Sequence, residues 1–352
     1  MKLEDKGITV ATLDVTYKCN YRCLHCYNSS GEHNFGKELT DDELKTIMNS
    51  YCELNPRAIC ICGGEPLTRK NIVVELGKMF HDAHPEKGCN MVSNGYFMTQ
   101  DIANELKEAG FNLVQISLDG AKPESHNWLR QNDEAYDHAI SAIKFLKKAG
   151  LEVGVACAPS KVNIDEFEDL VQMCFDLGVS NFRSQPMMRL GRAQHIDEFL
   201  LDDFSYLKLG RKVNKLNFKY EAKGMKVEWG DPVQHLTRIN VGMDHLDTLI
   251  INGYGDILIS PYLPLSFGNI RKYSLEEYFS NGLDKVYENA LVRKMAGLVT
   301  DCNSMNLNSN QVNLPKIFSG DDIKIDIIDE DLEKTSEKYM KELFGGYNDI
   351  SK

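Results

Sequence analysis

The sequence predicts an α/β chain: a partial (β/α)6 TIM-like barrel with a smaller α+β extension at its C-terminal end. Two observations carry that expectation. Short apolar runs rich in β-branched residues alternate with helical stretches six times up to residue 184, and repeated βα units imply a parallel sheet with right-handed crossovers. Polar and glycine-bearing stations recur just after those runs, and sites on such barrels gather at the C-terminal ends of the strands.

Taken in order, 8–13 reads as the first strand, and a cysteine-rich loop leaves its end. Thr40 and Glu43 make a capping box for a helix running to about residue 54. A strand over 58–62 runs straight into Gly63, Gly64, Glu65 and Pro66. Helix 71–84, strand 91–93 ending at Asn94, and helix 100–109 follow. Strand 113–118 ends at Asp119, and helix 136–149, strand 152–158, helix 164–177 and strand 181–184 complete six units. The stretch 187–192, MMRLGR, closes the barrel segment, and a polar helix over 202–216 reads as a connector. From 247 the pattern changes to strand, turn, strand, with Asn252-Gly253 or Gly253 to Gly255 making the hairpin turn, and a helix begins near Ser274. The tail gives a strand over 323–328 and a charged helix with Leu332, Tyr339 and Leu343 on one stripe. The expected division is a core over 1–200, a connector over 201–245, an extension over 246–318 and a terminal strand and helix over 319–352.

A chain of 352 residues can bury a sizeable core, and its formal charge of -12 argues against nucleic acid, whose affinity rests on cationic contacts to phosphate. No apolar run approaches the roughly 20 residues that span a bilayer, so no membrane partner is expected. The opening MKLEDKG has no signal-peptide core, and a reducing cytoplasm is the expected compartment for ten cysteines without a small secreted scaffold. Cys52, Cys60, Cys89, Cys157 and Cys174 lie in apolar, periodic segments and read as core thiols.

The chemistry concentrates in VTYKCNYRCLHCYN, where Cys19, Cys23 and Cys26 stand in Cys-x3-Cys-x2-Cys spacing. Thiolates suit iron–sulfur clusters, and a cubane normally takes four of them, so three would leave one iron open to an exogenous ligand. A zinc site completed by His25 is the alternative, although zinc sites usually pair two Cys-x2-Cys knuckles and no second knuckle exists.

This spacing, the aromatic Tyr27 after the last cysteine, the strand-like lead-in and the GGEP string about one βα unit later resemble the radical S-adenosylmethionine (radical SAM) superfamily, in its SPASM/twitch-type branch. The resemblance implies a [4Fe–4S] cluster on Cys19, Cys23 and Cys26 whose open iron is chelated by S-adenosylmethionine, cleaved reductively to a 5′-deoxyadenosyl radical. It implies that Gly63, Gly64 and Glu65 meet the methionine amino group, and that Ser117 and Arg130 hold the ribose or carboxylate. His25, Asn94 and Asp119 join the same cofactor-binding set. In SPASM-type relatives a cysteine precedes the proline of the extension; here Ser260 stands before Pro261, and only Cys302 follows Cys174. The extension is therefore expected to persist without its auxiliary clusters. The chemistry should then be redox-neutral or return its electron to the one cluster, with Cys302 or Cys157 as a thiol hydrogen donor. The implied substrate is a ribosomally synthesised peptide, edited by cross-linking, epimerisation or another residue change. A small metabolite such as a tetrapyrrole or sugar is the alternative, and an iron–sulfur electron carrier the non-enzyme reading. A flavodoxin- or ferredoxin-type reductant and a leader-peptide delivery partner are the implied protein partners.

Overall fold

The computed structural model describes residues 3–32, 36–243, 245–301 and 322–344. Seven parallel strands follow one another in space as in sequence: β1 (Val10–Asp14), β2 (Ala58–Cys62), β3 (Gly88–Ser93), β4 (Leu113–Ser117), β5 (Glu152–Cys157), β6 (Asn181–Ser184) and β7 (Lys226–Trp229). Between them run α1 (Asp41–Leu54), α2 (Lys70–Ala83), α3 (Gln100–Glu108), α4 (Pro123–Arg130), α5 (Ala135–Lys148), α6 (Phe167–Asp176) and α7 (Asp203–Tyr220). The strands alternate as a curved parallel sheet requires. Ala11, Leu13, Ile59, Ile61, Val114 and Ile116 are fully buried, while their neighbours Thr12, Cys60 and Gln115 keep partial exposure on the other, inner face.

Thr40 caps α1 reciprocally with Glu43, as its sequence predicts. The seventh strand and the helix after it, α8 (Pro232–Asn240), are additions to the sequence reading. A four-residue KVEW strand inside a charged stretch carries too little alternation to stand out. Through α7, whose Tyr206, Leu209, Val213 and Tyr220 are buried, the stretch expected as a connector continues the βα order of the barrel.

The C-terminal strands do not stand apart. β8 (Thr248–Ile251) pairs in parallel with the free side of β1, and β9 (Asp256–Leu258) and β10 (Leu265–Asn269) continue antiparallel. β11 (Ile323–Lys324) closes one eleven-stranded sheet. The strand expected over 323–328 stops early, because the Asp326 carboxylate accepts from the Ile328 N–H and turns the chain. Helices α9 (Leu275–Ser280), α10 (Ala290–Ala296) and α11 (Leu332–Phe344) cover this end, and Leu332, Tyr339 and Leu343 pack against the core. Arg271 ties it to the barrel: it pairs with Glu43 at 2.6 Å and donates to the Glu38 carbonyl at 3.0 Å. No helix among the described residues is long and apolar enough to cross a membrane.

Candidate active site

The loop after β1 carries the three cysteines, and backbone docking fixes its path. The Gly64 N–H donates to the Thr16 carbonyl at 2.7 Å and the Glu65 N–H to the Lys18 carbonyl at 2.9 Å. A Cβ on Gly63, whose φ is +134°, would sit 2.2 Å from the Thr16 carbonyl oxygen, and one on Gly64 2.3 Å from that of Lys18. Both glycines are thus required by the cysteine loop pressed against them, a constraint beyond the ligand approach that the sequence suggested. From the other side, the Arg192 guanidinium donates to the carbonyls of Cys23 (2.8 Å) and Ser30 (3.0 Å) and pairs with Glu32 at 3.2 Å. Gly191, at φ +53°, lets the chain pass within reach of the Cys26 and Tyr27 carbonyls. Sequence reading placed MMRLGR at the end of the barrel but missed Arg192 as the clamp of the cysteine loop.

One cavity of about 340 Å³ is lined by Cys19, Cys23, Cys26, His25, Gly63, Gly64, Asn94, Ser117 and Arg130. Nine of the residues singled out from the sequence therefore meet around a single space. Glu65 and Asp119 stand behind its wall. Glu65 is fully buried and accepts from the N–H groups of Asn94 (2.7 Å) and Leu67 (3.1 Å) and from the Ser93 hydroxyl (2.9 Å). Burial raises its carboxyl to about 7 against those hydrogen bonds. It fastens the end of β3, which sets Asn94 beside the cysteine loop. Asp119 pairs with Arg130 Nε at 2.7 Å and accepts from the Ala158 N–H at 2.9 Å. Burial pushes this carboxyl up, but Arg130, His25 and His126 outweigh it and hold it at about 2. Arg130 is thereby fixed as a cation with Nη1 3.8 Å from the Cys23 sulfur.

Burial lifts the Cys19 thiol and carries that of Cys23 to about 11, opposed by the charge of Arg130. His25 turns its Nε2 to Asp119 at 3.5 Å, and burial lowers its pKa to about 4. Its Nδ1, the Asn20 amide nitrogen and the Tyr21 hydroxyl are buried without hydrogen-bond partners. No group of three or more His, Cys, Asp or Glu side chains among the described residues is disposed to hold a single metal ion. Three thiols spread around a cavity, a buried cation beside them and orphaned polar groups close by fit a larger sulfur-ligated cluster with a polar co-ligand. Cys157 is buried and reaches the Asp119 carbonyl at 3.6 Å from behind the wall. Cys302 lies outside the described residues.

A second cavity, of about 570 Å³, opens along the inner face of β1, β8 and β6. Asp14, Arg183, Asp231, His235, Arg238, Asp247 and Tyr262 are among its polar lining, with Thr12, Gln185 and Thr248 beside them. Tyr27 and Cys62 line both cavities and mark their junction. Ser260 is buried in the turn beside Pro261, its hydroxyl accepting from the Tyr262 N–H at 3.3 Å.

Residues 13–174 match the family described as the Radical SAM superfamily. This is a radical SAM domain. The match begins within β1 and ends within α6, so it contains the cysteine loop, GGEP and Arg130. An AdoMet-dependent heme synthase of Methanosarcina barkeri (strain Fusaro / DSM 804) is 25% identical over 287 residues, covering 76% of this chain and 81% of the relative. Among solved structures, Streptococcus suis SuiB bound to its precursor peptide SuiA superposes with a TM-score of 0.61 at 14% identity, over 86% of this chain and 76% of SuiB. The enzyme anSMEcpe, with bound AdoMet and the Kp18Cys peptide, gives 0.62 at 15% identity over 95% and 96% of the two chains. The curved parallel sheet is the fold of these radical SAM neighbours. Residues 13–174 therefore carry the domain of the radical SAM enzymes, a family whose cofactors are a [4Fe–4S] cluster and S-adenosylmethionine.

Proposed function

We propose that this radical SAM enzyme edits a ribosomally synthesised peptide. The charge balance of the larger cavity supports this reading best. Three carboxylates, Asp14, Asp231 and Asp247, face two guanidinium groups, Arg183 and Arg238. A polycarboxylate tetrapyrrole or a nucleotide triphosphate would call for a net cationic wall, whereas a peptide carries mixed polar and apolar groups. The volume suits a short run of residues, well within the roughly 300–1,000 Å³ of ligand pockets. Burial raises Asp14 to about 7 while the Tyr17 hydroxyl donates to it at 3.0 Å, so it can donate to or accept from a peptide group near neutrality. SuiB and anSMEcpe, solved with bound peptides, are consistent with such a substrate.

In this reading Cys19, Cys23 and Cys26 hold the cluster. Asn94, Ser117, Arg130 and the backbone of Gly63 and Gly64 orient S-adenosylmethionine, and His25 adds a polar contact. Glu65 and Asp119 act one layer out, Glu65 by fixing the Asn94 backbone and Asp119 by aiming Arg130. The bound cofactors supply a carbon radical that abstracts hydrogen from an unactivated carbon. The chain's own work is to orient the two ligands toward the Tyr27 and Cys62 junction and to keep water from it. The C-terminal strands serve as a SPASM/twitch-like platform that has lost its clusters, with Ser260 in the lost ligand position. A reduced flavodoxin or ferredoxin delivers the electron, a leader-binding partner delivers the peptide, and the enzyme works in the cytoplasm.

The test is anaerobic incubation of the reduced, cluster-loaded enzyme with S-adenosylmethionine and the short peptides encoded beside its gene, followed by mass spectrometry. A peptide that loses two hydrogens, or gains solvent deuterium at one carbon, supports the reading. Deoxyadenosine production with every such peptide unchanged overturns it in favour of a small metabolite.

A further inference from the structure

Strand β2 ends with Cys60, Ile61 and Cys62. Ile61 is fully buried under the helices, which leaves Cys60 and Cys62 together on the inner face. Their sulfurs are 3.3 Å apart. A strand rise of about 3.3 Å per residue sets their Cα atoms about 6.6 Å apart, at the upper end of the spacing a disulfide spans, so closing a bridge requires the end of β2 to bend and bring the two Cβ atoms together. Cys62 lines the cofactor cavity alongside the three cysteines of the loop, and it alone of those four also lines the larger cavity. It is thus a thiol that the cluster motif does not use, at the junction of the two spaces. Cys89, Cys157 and Cys174 are buried and line neither cavity.

We propose that Cys62, backed by Cys60, gives a hydrogen atom to a carbon radical held at this junction, and that the pair then closes to a disulfide. The proposal rests on the radical chemistry argued above. In the first step the Cys62 S–H bond breaks homolytically and a C–H bond forms, which quenches the carbon radical and leaves a thiyl on Cys62. In the second, that sulfur bonds to Cys60 as the Cys60 proton leaves to solvent. The one surplus electron passes to an oxidised carrier of the flavodoxin or ferredoxin class. A dithiol reductant then restores both thiols by exchange, returning two electrons and two protons. A hydrogen-atom donor must keep its hydrogen, and the contact with Cys60 together with burial holds the Cys62 thiol well above its ordinary range.

The experiment uses the full chain, cluster-loaded and exchanged into heavy water, with flavodoxin as reductant and S-adenosylmethionine as the only added ligand. With no substrate present, the deoxyadenosyl radical itself meets the thiol. The wild type is expected to give singly deuterated 5′-deoxyadenosine, and its tryptic peptide 58–69, which holds both thiols, loses two hydrogens. Cys60→Ser keeps the deuterium and abolishes the two-hydrogen loss; Cys62→Ser abolishes both. Cys52→Ser, on α1, changes neither. Deoxyadenosine without deuterium in the wild type, or the same deuterium content in Cys62→Ser, overturns the proposal while leaving the radical SAM reading intact. If no deoxyadenosine forms in any protein, the underlying reading itself fails. A second readout needs neither cofactor. In dithiothreitol redox buffers the unloaded full chain should close the bridge between Cys60 and Cys62 while Cys52 stays open to alkylation, and free thiols at both positions across the whole series would also overturn the proposal.

Discussion

Replacing Asp119 with Ala should strip the buried Arg130 of its counter-ion. The pair is close, 2.7 Å, with the Asp119 side chain fully enclosed and that of Arg130 about nine-tenths so. Removing one partner of a buried ion pair costs about 3–5 kcal/mol, because the other charge stays desolvated and uncompensated. Linkage gives a second estimate. A carboxyl held at about 2 instead of the ordinary 3.8 contributes about 2.5 kcal/mol near neutrality. The two agree on roughly 3 kcal/mol, read as a shift in the urea midpoint of the unloaded chain under anaerobic conditions. The folded-state pKa is depressed, so this stability is fully present above about pH 4 and is lost as pH falls through about 2. The gap between wild type and variant must therefore close across that window. Arg130→Met in the Asp119→Ala background should recover much of the loss by removing the orphaned charge. A single-variant loss below about 1 kcal/mol, or no recovery in the double variant, would refute the argument that Asp119 is there to hold Arg130.

Gly63→Ala places a methyl group on the Thr16 carbonyl at a φ open mainly to glycine, and should cost about 2–3 kcal/mol and lower cluster retention, measured by denaturation and iron analysis. Iron and sulfide analysis of the reconstituted wild type should give about four irons per chain, with Cys19→Ala, Cys23→Ala and Cys26→Ala each near none; about eight in the wild type would mean that auxiliary clusters remain. Glu65 and Asp14 titrate near 7 in the folded chain, above the ordinary carboxyl range. Their contribution is full below about pH 4 and declines as pH rises toward 7, so Glu65→Gln should flatten that part of a pH series of urea midpoints. Arg192→Ala removes two hydrogen bonds and an ion pair from the cysteine loop, and limited proteolysis should detect faster cleavage near residue 24 in the unloaded chain.

The βα order was legible because each unit carries its own local signal: an apolar β-branched run, a polar turn, then a helix such as α1 with its reciprocal cap. The cofactor cavity was legible for a related reason. Its residues follow strand ends, so a parallel sheet brings them to one rim without further information. Depth was not legible. GGEP gives no sign that Glu65 faces inward to Ser93 and Asn94, since that depends on how β2 and β3 lie side by side. The place of β8 was hidden too, because TLII reads equally well as half of an isolated hairpin, and only the unpaired side of β1 decides otherwise. Cys60, taken with the core thiols, sits on the half-open inner face because strand alternation put it opposite Ile61.

The pairing of β1 with β8 has a consequence for how the protein is made. Residue 10 finds its partner in residue 248, so the strand that launches the cysteine loop keeps one edge bare until most of the polypeptide has left the ribosome. Such long-range closure is slow, and an exposed strand edge invites pairing with other chains meanwhile. Nascent chains halted before residue 248 should thus be the most prone to aggregate and the poorest at retaining iron. Assembly of the metal centre would then follow completion of the sheet, as a late step of biogenesis.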